Sequence, residues 1–423
     1  MVEPRGPASL GRALRHRNYR LFFGGQGTSL VGTWITRIAT SWLVYRLTGS
    51  VLLLGLVGFA GQIPTLVLAP LAGVLVDRWN KHRILVVTQV FSMLQSLALA
   101  MLTLAGIITV TDVVVLQLVQ GTINAFDTPA RHSLLVQMIE DRADLPNAIA
   151  LNSSMVNLSR IIGPSIGGVL IALVGEGWCF AVDAVSYLAV IASLQAMRLA
   201  PVERAVTATR FSEELREGFA YVSRFPPVRA ALILLALVAT MGMPYVVLMP
   251  AIAEGVLHGG PHTLGFLMTA SGVGALIGAL YLASRHSVLG LWRVIAAATM
   301  LFGAGLVAFS FATKLWIALA VLPLVGAGMM VAMAAVNTII QTMVEERLRG
   351  RVMAFYAMAF LGTAPIGSLL GGVVADRIGA PHTIFLGGIA CVLGAIVFRL
   401  HLPALRPHIR EVYTARGILP APD

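Results

Sequence analysis

Long apolar runs alternate with short, Arg-rich polar breaks along most of the chain. Apolar residue follows apolar residue from Val51 to Val76 and again from Ile84 to Val110. About 18 such residues are enough to cross a hydrocarbon core of about 30 Å. Reading the runs against turn signals predicts six helices at 21–46, 51–76, 84–108, 112–137, 147–174 and 178–198. Six more follow at 228–252, 262–284, 293–313, 315–341, 351–375 and 381–400. The expected fold is an all-α membrane protein of twelve transmembrane helices in two pseudo-symmetric six-helix bundles. The bundles cover 21–198 and 228–400, with tails at 1–20 and 401–423 and the longest polar break between the halves at 199–227.

Composition agrees with this. The chain is 57% hydrophobic and 12% charged, against about 25% charged in soluble domains. Its net charge of +11 points to a membrane surface rather than nucleic acid, because the cations lie in the breaks between apolar runs. With the N-terminus in the cytoplasm, 25 of the 30 cations fall on that side. Only Arg46, Lys314 and Arg377 lie opposite, while Arg37 and Arg160 fall within spans. Both termini are therefore expected in the cytoplasm. Lys occurs only at positions 81 and 314, an Arg bias that suggests a GC-rich bacterial genome and hence the inner (plasma) membrane. The basic start followed by an apolar run mimics a signal peptide. The run continues to Leu47 without a short cleavable segment, so a retained first span is expected.

Within the central break, Phe211, Leu215, Phe219 and Val222 recur at helical spacing. They predict an amphipathic surface helix over 212–224, N-capped by Ser212 and joining the two halves. Cys179 and Cys391 lie in apolar runs and are expected to pack inertly. An internal repeat is visible: "GPSIGGVLIALVG" at 163–175 resembles "IGSLLGGVVADRIG" at 366–379, with GG pairs 204 residues apart. Repeated helical halves with a substrate path at their interface are one transporter plan.

The polar break "GVLVDRWNKHR" (73–83) sets one Asp among three cations. Cations alone would serve as an anchor; they explain neither Asp77 nor Gly73 one turn earlier. A glycine there would admit a close backbone, and Asp77 would accept from a helix N-terminus or pair with an Arg. The stretch resembles the loop 2–3 signature of the major facilitator superfamily, carried here by Gly73, Asp77, Arg78, Lys81 and, one residue late, Arg83. Asn80 stands where the family has Gly, and Asn also tolerates a left-handed turn. The resemblance implies that Asp77 meets the start of span eleven near Gly350 and Arg351 when the transporter faces outward, with Arg131 as its ionic neighbour. The matching place in the second half, 278–290, lacks the Asp.

"RIIGPSIGG" (160–168) carries Gly163, Pro164, Gly167 and Gly168. These resemble the superfamily's antiporter motif, although Ser159 replaces an earlier glycine; a Gly-rich packing face accounts for them equally well. Together with "AFDTPARHSLLVQMI", "SEELREGFAYV" and "RGRVMAFYAMAFLGTAPIGSLLGGVVAD", the motifs resemble one bacterial branch of drug:proton antiporters. That branch includes the macrolide-efflux proteins and the enterobactin exporter.

Ionisable residues inside spans are costly and are functional candidates. Arg37 in span one either meets Asp183 of span six or snorkels to the outer interface. With Asp127 they are the proton-coupling candidates; Asp127 also suits helix termination or gate pairing, and Arg160 would neutralise it or attract an anion. The resemblance implies a secondary exporter of an amphipathic drug- or siderophore-like molecule, driven by a proton gradient. The competing expectation is a lysophospholipid transporter on the same fold. No catalytic, metal or cofactor constellation is visible, so no enzyme is expected. A small-molecule substrate and the bilayer are the expected partners, and a monomer the expected state.

Overall fold

Helices begin and end where local chemistry dictates. In α4 (Val110–Gln137), Thr109 accepts from the Asp112 amide at 3.3 Å while the Asp112 carboxylate accepts from the Thr109 amide at 2.9 Å. This reciprocal capping box satisfies two orphan N–H groups. Ahead of it lie α1 (Arg17–Thr48), α2 (Val51–Arg78) and α3 (Lys81–Leu104). After it come α5 (Leu145–Val174), α6 (Glu176–Ala196) and the short α7 (Phe211–Arg224). The remaining helices are α8 (Pro226–Gly255), α9 (Pro261–Ala283), α10 (Leu291–Ser310), α11 (Leu315–Met343), α12 (Glu346–Ile378) and α13 (Ala380–Ala415). The structure, a computed structural model, describes residues 11–199, 211–285 and 287–419, with backbone alone at Pro70, Val74, Asp77 and 211–215.

Among the described residues, twelve helices, all except α7, are of spanning length, as expected, and ten of them are also apolar enough to cross a membrane. Two are interrupted by π-turns, Val238–Gly242 in α8 and Met358–Gly362 in α12. The internal repeat has a backbone signature. α5 passes into α6 through Gly175 at φ +86°, and α12 into α13 through Gly379 at φ +87°. These residues are 204 apart, like the GG pairs, and both occupy a conformation that only glycine adopts cheaply.

Three local expectations change. Asn80 has φ −71° and ψ 108°, not a left-handed turn; its side chain caps α3 by accepting from the Arg83 amide at 3.1 Å. α7 is already helical at Phe211, so Ser212 lies inside it rather than at its cap. The twelfth helix runs 15 residues past the expected end at 400, to Ala415. Leu402, Leu405, Ile409 and Tyr413 are buried there at helical spacing, so packing holds this segment past the end of the apolar run. Of the cations expected on the cytoplasmic side, Arg5, Arg204 and Arg210 lie outside the described residues.

The helices gather into two compact units. One contains α1, α2 from Ala60, α3 to α6 and the first turns of α9 (Gly259–Thr269). Its apolar core includes Tyr19, Phe22, Leu85, Leu134, Met138 and Leu194. The other contains the first turns of α2 (Ser50–Phe59), α7, α8, α9 from Ala270, and α10 to α13. Its core includes Trp292, Ile339, Phe398 and Leu402. Lipid tails are as apolar as side chains, so small residues and hydrogen bonds do much of the work of helix association.

Candidate functional site

α3 is amphipathic in an inverted sense. Val87, Phe91, Leu94, Leu97 and Met101 are exposed, whereas Thr88, Gln89, Ser92, Gln95 and Ser96 are buried. The polar positions recur at one, three and four residues, so they form a single stripe along one helix face. This stripe meets α4 and α6. None of these residues is ionisable, so none stands out in the sequence; only their shared spacing marks the stripe.

Asp183 of α6 is 1% exposed at the outer part of this seam. Its Oδ2 accepts from Thr36 at 2.9 Å and from Ser96 at 2.8 Å. Oδ1 has no hydrogen-bond partner. It instead lies above Gly32, where a Cβ would stand 2.6 Å from Oδ1 and 2.6 Å from Ser186 Oγ. Among the described residues no ion pair joins Arg37 to Asp183. The reason is helical geometry: chain neighbours are about 100° apart around the axis, so Thr36 faces Asp183 while Arg37 points elsewhere.

One turn further along α6, Tyr187 is a neighbour of Thr33 and Ser92 and sits in the field of both Asp183 and Asp127. Gln120 donates to Ser92 at 3.3 Å. The seam reaches Asp127, 3% exposed, whose Oδ1 accepts from Thr88 at 2.9 Å and Gln89 at 2.7 Å. Its Oδ2 is ion-paired with Arg131 one turn on. The two buried acids therefore differ: Asp127 has a cation, and Asp183 has neutral hydroxyl donors only. Arg160 does not neutralise Asp127; it lies elsewhere.

Arg37 and Arg160 converge on one indole. The Arg37 guanidinium is 4.6 Å from the centroid of the Trp34 ring and that of Arg160 is 6.0 Å away. The glycine motif explains their approach. Gly163 faces the Cβ of Trp34 and lies close enough that an added Cβ would stand 3.1 Å from the Val31 carbonyl. Gly167 faces Ile35 one turn later, and Gly168 faces Gly265 of α9. Pro164 is buried inside α5. Any larger residue at 163 would separate α5 from α1 and carry Arg160 away from the ring.

The 73–83 stretch spans the α2–α3 junction. Among the described residues nothing lies within 4 Å of where a Cβ would stand at Gly73. The Asp77 side chain lies outside the described residues, and Arg131 is held by Asp127. Arg78 and Arg83 line a groove of about 900 Å³ whose walls include Val87, Phe91, Val115 and Leu118. Lys81 is the first residue of α3. Arg351 pairs with Glu217 of α7, as does Arg347 at 3.5 Å. Gly218 of α7 faces Phe355, so α7 is docked on the start of α12.

Residues 9–413 match the family described as transmembrane secretion effector. The chain is 26% identical over 380 residues to the staphyloferrin A transporter of Staphylococcus aureus, covering 90% of this chain and 95% of that one. It is 30% identical over 390 residues to the multidrug efflux pump Tap of Mycolicibacterium fortuitum, covering 90% and 94%. Macrolide efflux protein A of Streptococcus pyogenes is 24% identical over 393 residues, covering 90% and 96%. Among solved structures, the nucleoside transporter NupG superposes with a TM-score of 0.72 at 13% identity, covering 92% of this chain and 99% of that one. The twelve-helix fold and the match along nearly the whole chain together place this protein in the transmembrane secretion effector family of the major facilitator superfamily.

Proposed function

We propose that the protein is a secondary active exporter of an amphipathic, drug- or siderophore-like small molecule, driven by proton antiport. It works by alternating access in the bacterial plasma membrane with both termini cytoplasmic, and it needs no cofactor beyond the proton gradient. Support for export comes from relatives named as a multidrug efflux pump and a macrolide efflux protein, and all the relatives described are transporters rather than enzymes.

The observation that carries proton coupling is Asp183. A buried carboxylate without a cation is costly when charged, so taking up a proton relieves it. Protonation also removes the need for two donors on Oδ2, freeing Thr36 on α1 or Ser96 on α3. Uptake of a proton thus alters contacts among three helices at once, which is how a ligand favours one of two arrangements. Asp127, already paired with Arg131, serves this scheme as a fixed structural acid. The 73–83 motif is assigned to the cytoplasmic gate through Asp77.

The test uses purified protein in proteoliposomes with an imposed pH gradient and a panel of dyes and macrolides. Substrate movement and internal pH are followed together. Opposite, coupled movement that disappears in Asp183→Asn is expected. Coupling that survives this substitution would remove Asp183 from the mechanism. Gradient-independent movement of a lysophospholipid, with no panel member transported, would replace the reading with the lipid one.

A further inference from the structure

Arg37, Trp34 and Arg160 have a chemistry that the exporter reading does not yet use. Arg37 lies twenty residues into α1 from its start at Arg17, about 30 Å along the axis at 1.5 Å per residue. It is nevertheless exposed, on a face shared with Thr33 one turn earlier. On α5, the exposed Ser153 and the half-buried Asn157 and Arg160 follow at helical spacing. The large apolar side chains exposed elsewhere in the chain, which suit contact with lipid, are chiefly Leu, Val, Ile and Phe. A mid-span surface of hydroxyls, amide and guanidiniums belongs instead to a water-accessible face.

Both guanidiniums lie within 6.0 Å of the same ring centroid. Among the described residues neither is ion-paired with a carboxylate. One indole face attracts a cation only modestly and cannot neutralise two. Two like charges are thus held together well inside their helices by the Gly163 contact, with no acid between them among the described residues. Guanidinium donors are suited to carboxylate oxygens, frequently in bidentate pairs, and the indole offers a flat apolar surface beside them.

We propose that Arg37, Trp34 and Arg160 form a recognition site for an anionic substrate group, a carboxylate borne on a flat apolar body. The carboxylate sits against the two guanidiniums and the apolar body against Trp34. This assignment rests on the exporter reading, because it names that exporter's substrate class. It separates acidic amphiphiles from cationic dyes: a cation at this place would add a third positive charge to the cluster.

The test is equilibrium binding to purified protein in nanodiscs, read by fluorescence anisotropy with no gradient applied. Carboxyfluorescein is the anionic probe, and rhodamine 6G is a cationic probe on the same ring system. Carboxyfluorescein is expected to bind the parent protein more tightly than rhodamine 6G. Its affinity should fall about tenfold or more in Arg37→Gln and in Arg160→Gln, less in Arg37→Lys, and should weaken with added salt. The Lys variant keeps the charge and guards against loss through misfolding. Unchanged carboxyfluorescein affinity in both Gln variants, or tighter binding of rhodamine 6G by the parent protein, would overturn the site. Anion binding without proton-coupled transport would leave the site standing and remove the antiport reading. Proton-coupled transport of rhodamine 6G without anion binding would do the reverse.

Discussion

Thr36 of α1 donates its hydroxyl to Oδ2 of Asp183 in α6 at 2.9 Å. Hydrogen bonds to charged groups contribute about 1.5–3 kcal/mol. Thr36→Val keeps the side-chain shape and removes the donor. It is expected to lower stability by about 1–2 kcal/mol at neutral pH, seen as a lower melting temperature in detergent. Ser96→Ala should act in the same direction. In Asp183→Asn the penalty of Thr36→Val should shrink, and a full penalty there would show that Thr36 acts through something other than the carboxylate.

Gly32 is required by the same contact. A Cβ at 32 would stand 2.6 Å from Asp183 Oδ1 and 3.2 Å from its Cα. Backbone cannot yield as a flexible side chain does, so Gly32→Ala should force α1 away from α6. Overpacking of this kind costs about 1–3 kcal/mol, and transport should fall with it. A melting temperature equal to the parent's would mean that the seam adapts.

Gly163→Ala drives a methyl group toward Trp34 and the Val31 carbonyl. The expected result is a loss of stability of about 1–3 kcal/mol together with weakened binding at the Trp34 face. Gly73→Ala is the control: with open space around it, it should leave stability within about 1 kcal/mol. Equal damage from both substitutions would count against the packing role assigned to Gly163.

Asp127 and Arg131 form a largely buried ion pair. Removing one partner of such a pair costs about 3–5 kcal/mol, and the partial exposure of Arg131 favours the low end. Asp127→Ala should therefore destabilise strongly in thermal unfolding. Asp127→Ala with Arg131→Met should recover part of that loss, and no recovery would argue against the pair.

Glu217 of α7 holds Arg351 and Arg347, but it is half exposed. Exposed pairs contribute about 0–1 kcal/mol, so Glu217→Gln should scarcely change the melting temperature. It should, however, loosen α7 and hasten tryptic cleavage at Arg224. A large drop in stability would indicate that α7 belongs to the core of its unit.

Apolar run length made the twelve spans legible, and two GG pairs made the repeat legible before Gly175 and Gly379 displayed it in the backbone. The candidate site was legible only in part. Arg37, Asp183, Asp127 and Arg160 stand out because a charge in an apolar run is conspicuous. Their partners do not stand out: Thr36, Ser96, Thr88 and Gln89 are unremarkable polar residues whose meaning lies in the face they share. Pairing Arg37 with Asp183 failed because opposite charges at similar depth need not point toward each other. Asn80 was misjudged because Asn suits both a left-handed turn and an N-cap, and only the backbone angles decide between them.

The polar stripe of α3 has a consequence for how the protein is made. As α3 leaves the ribosome, Thr88, Gln89, Ser92 and Ser96 enter the bilayer before Asp127 and Asp183 have been synthesised. Its side-chain partners therefore arrive one at a time, first with the fourth helix and then with the sixth. The stripe has all its acid partners only when α6 has been inserted, so a ribosome halted before Asp183 would leave a nascent chain exposed to membrane quality control. Chains arrested just after α6 should resist degradation, and those arrested just before it should not.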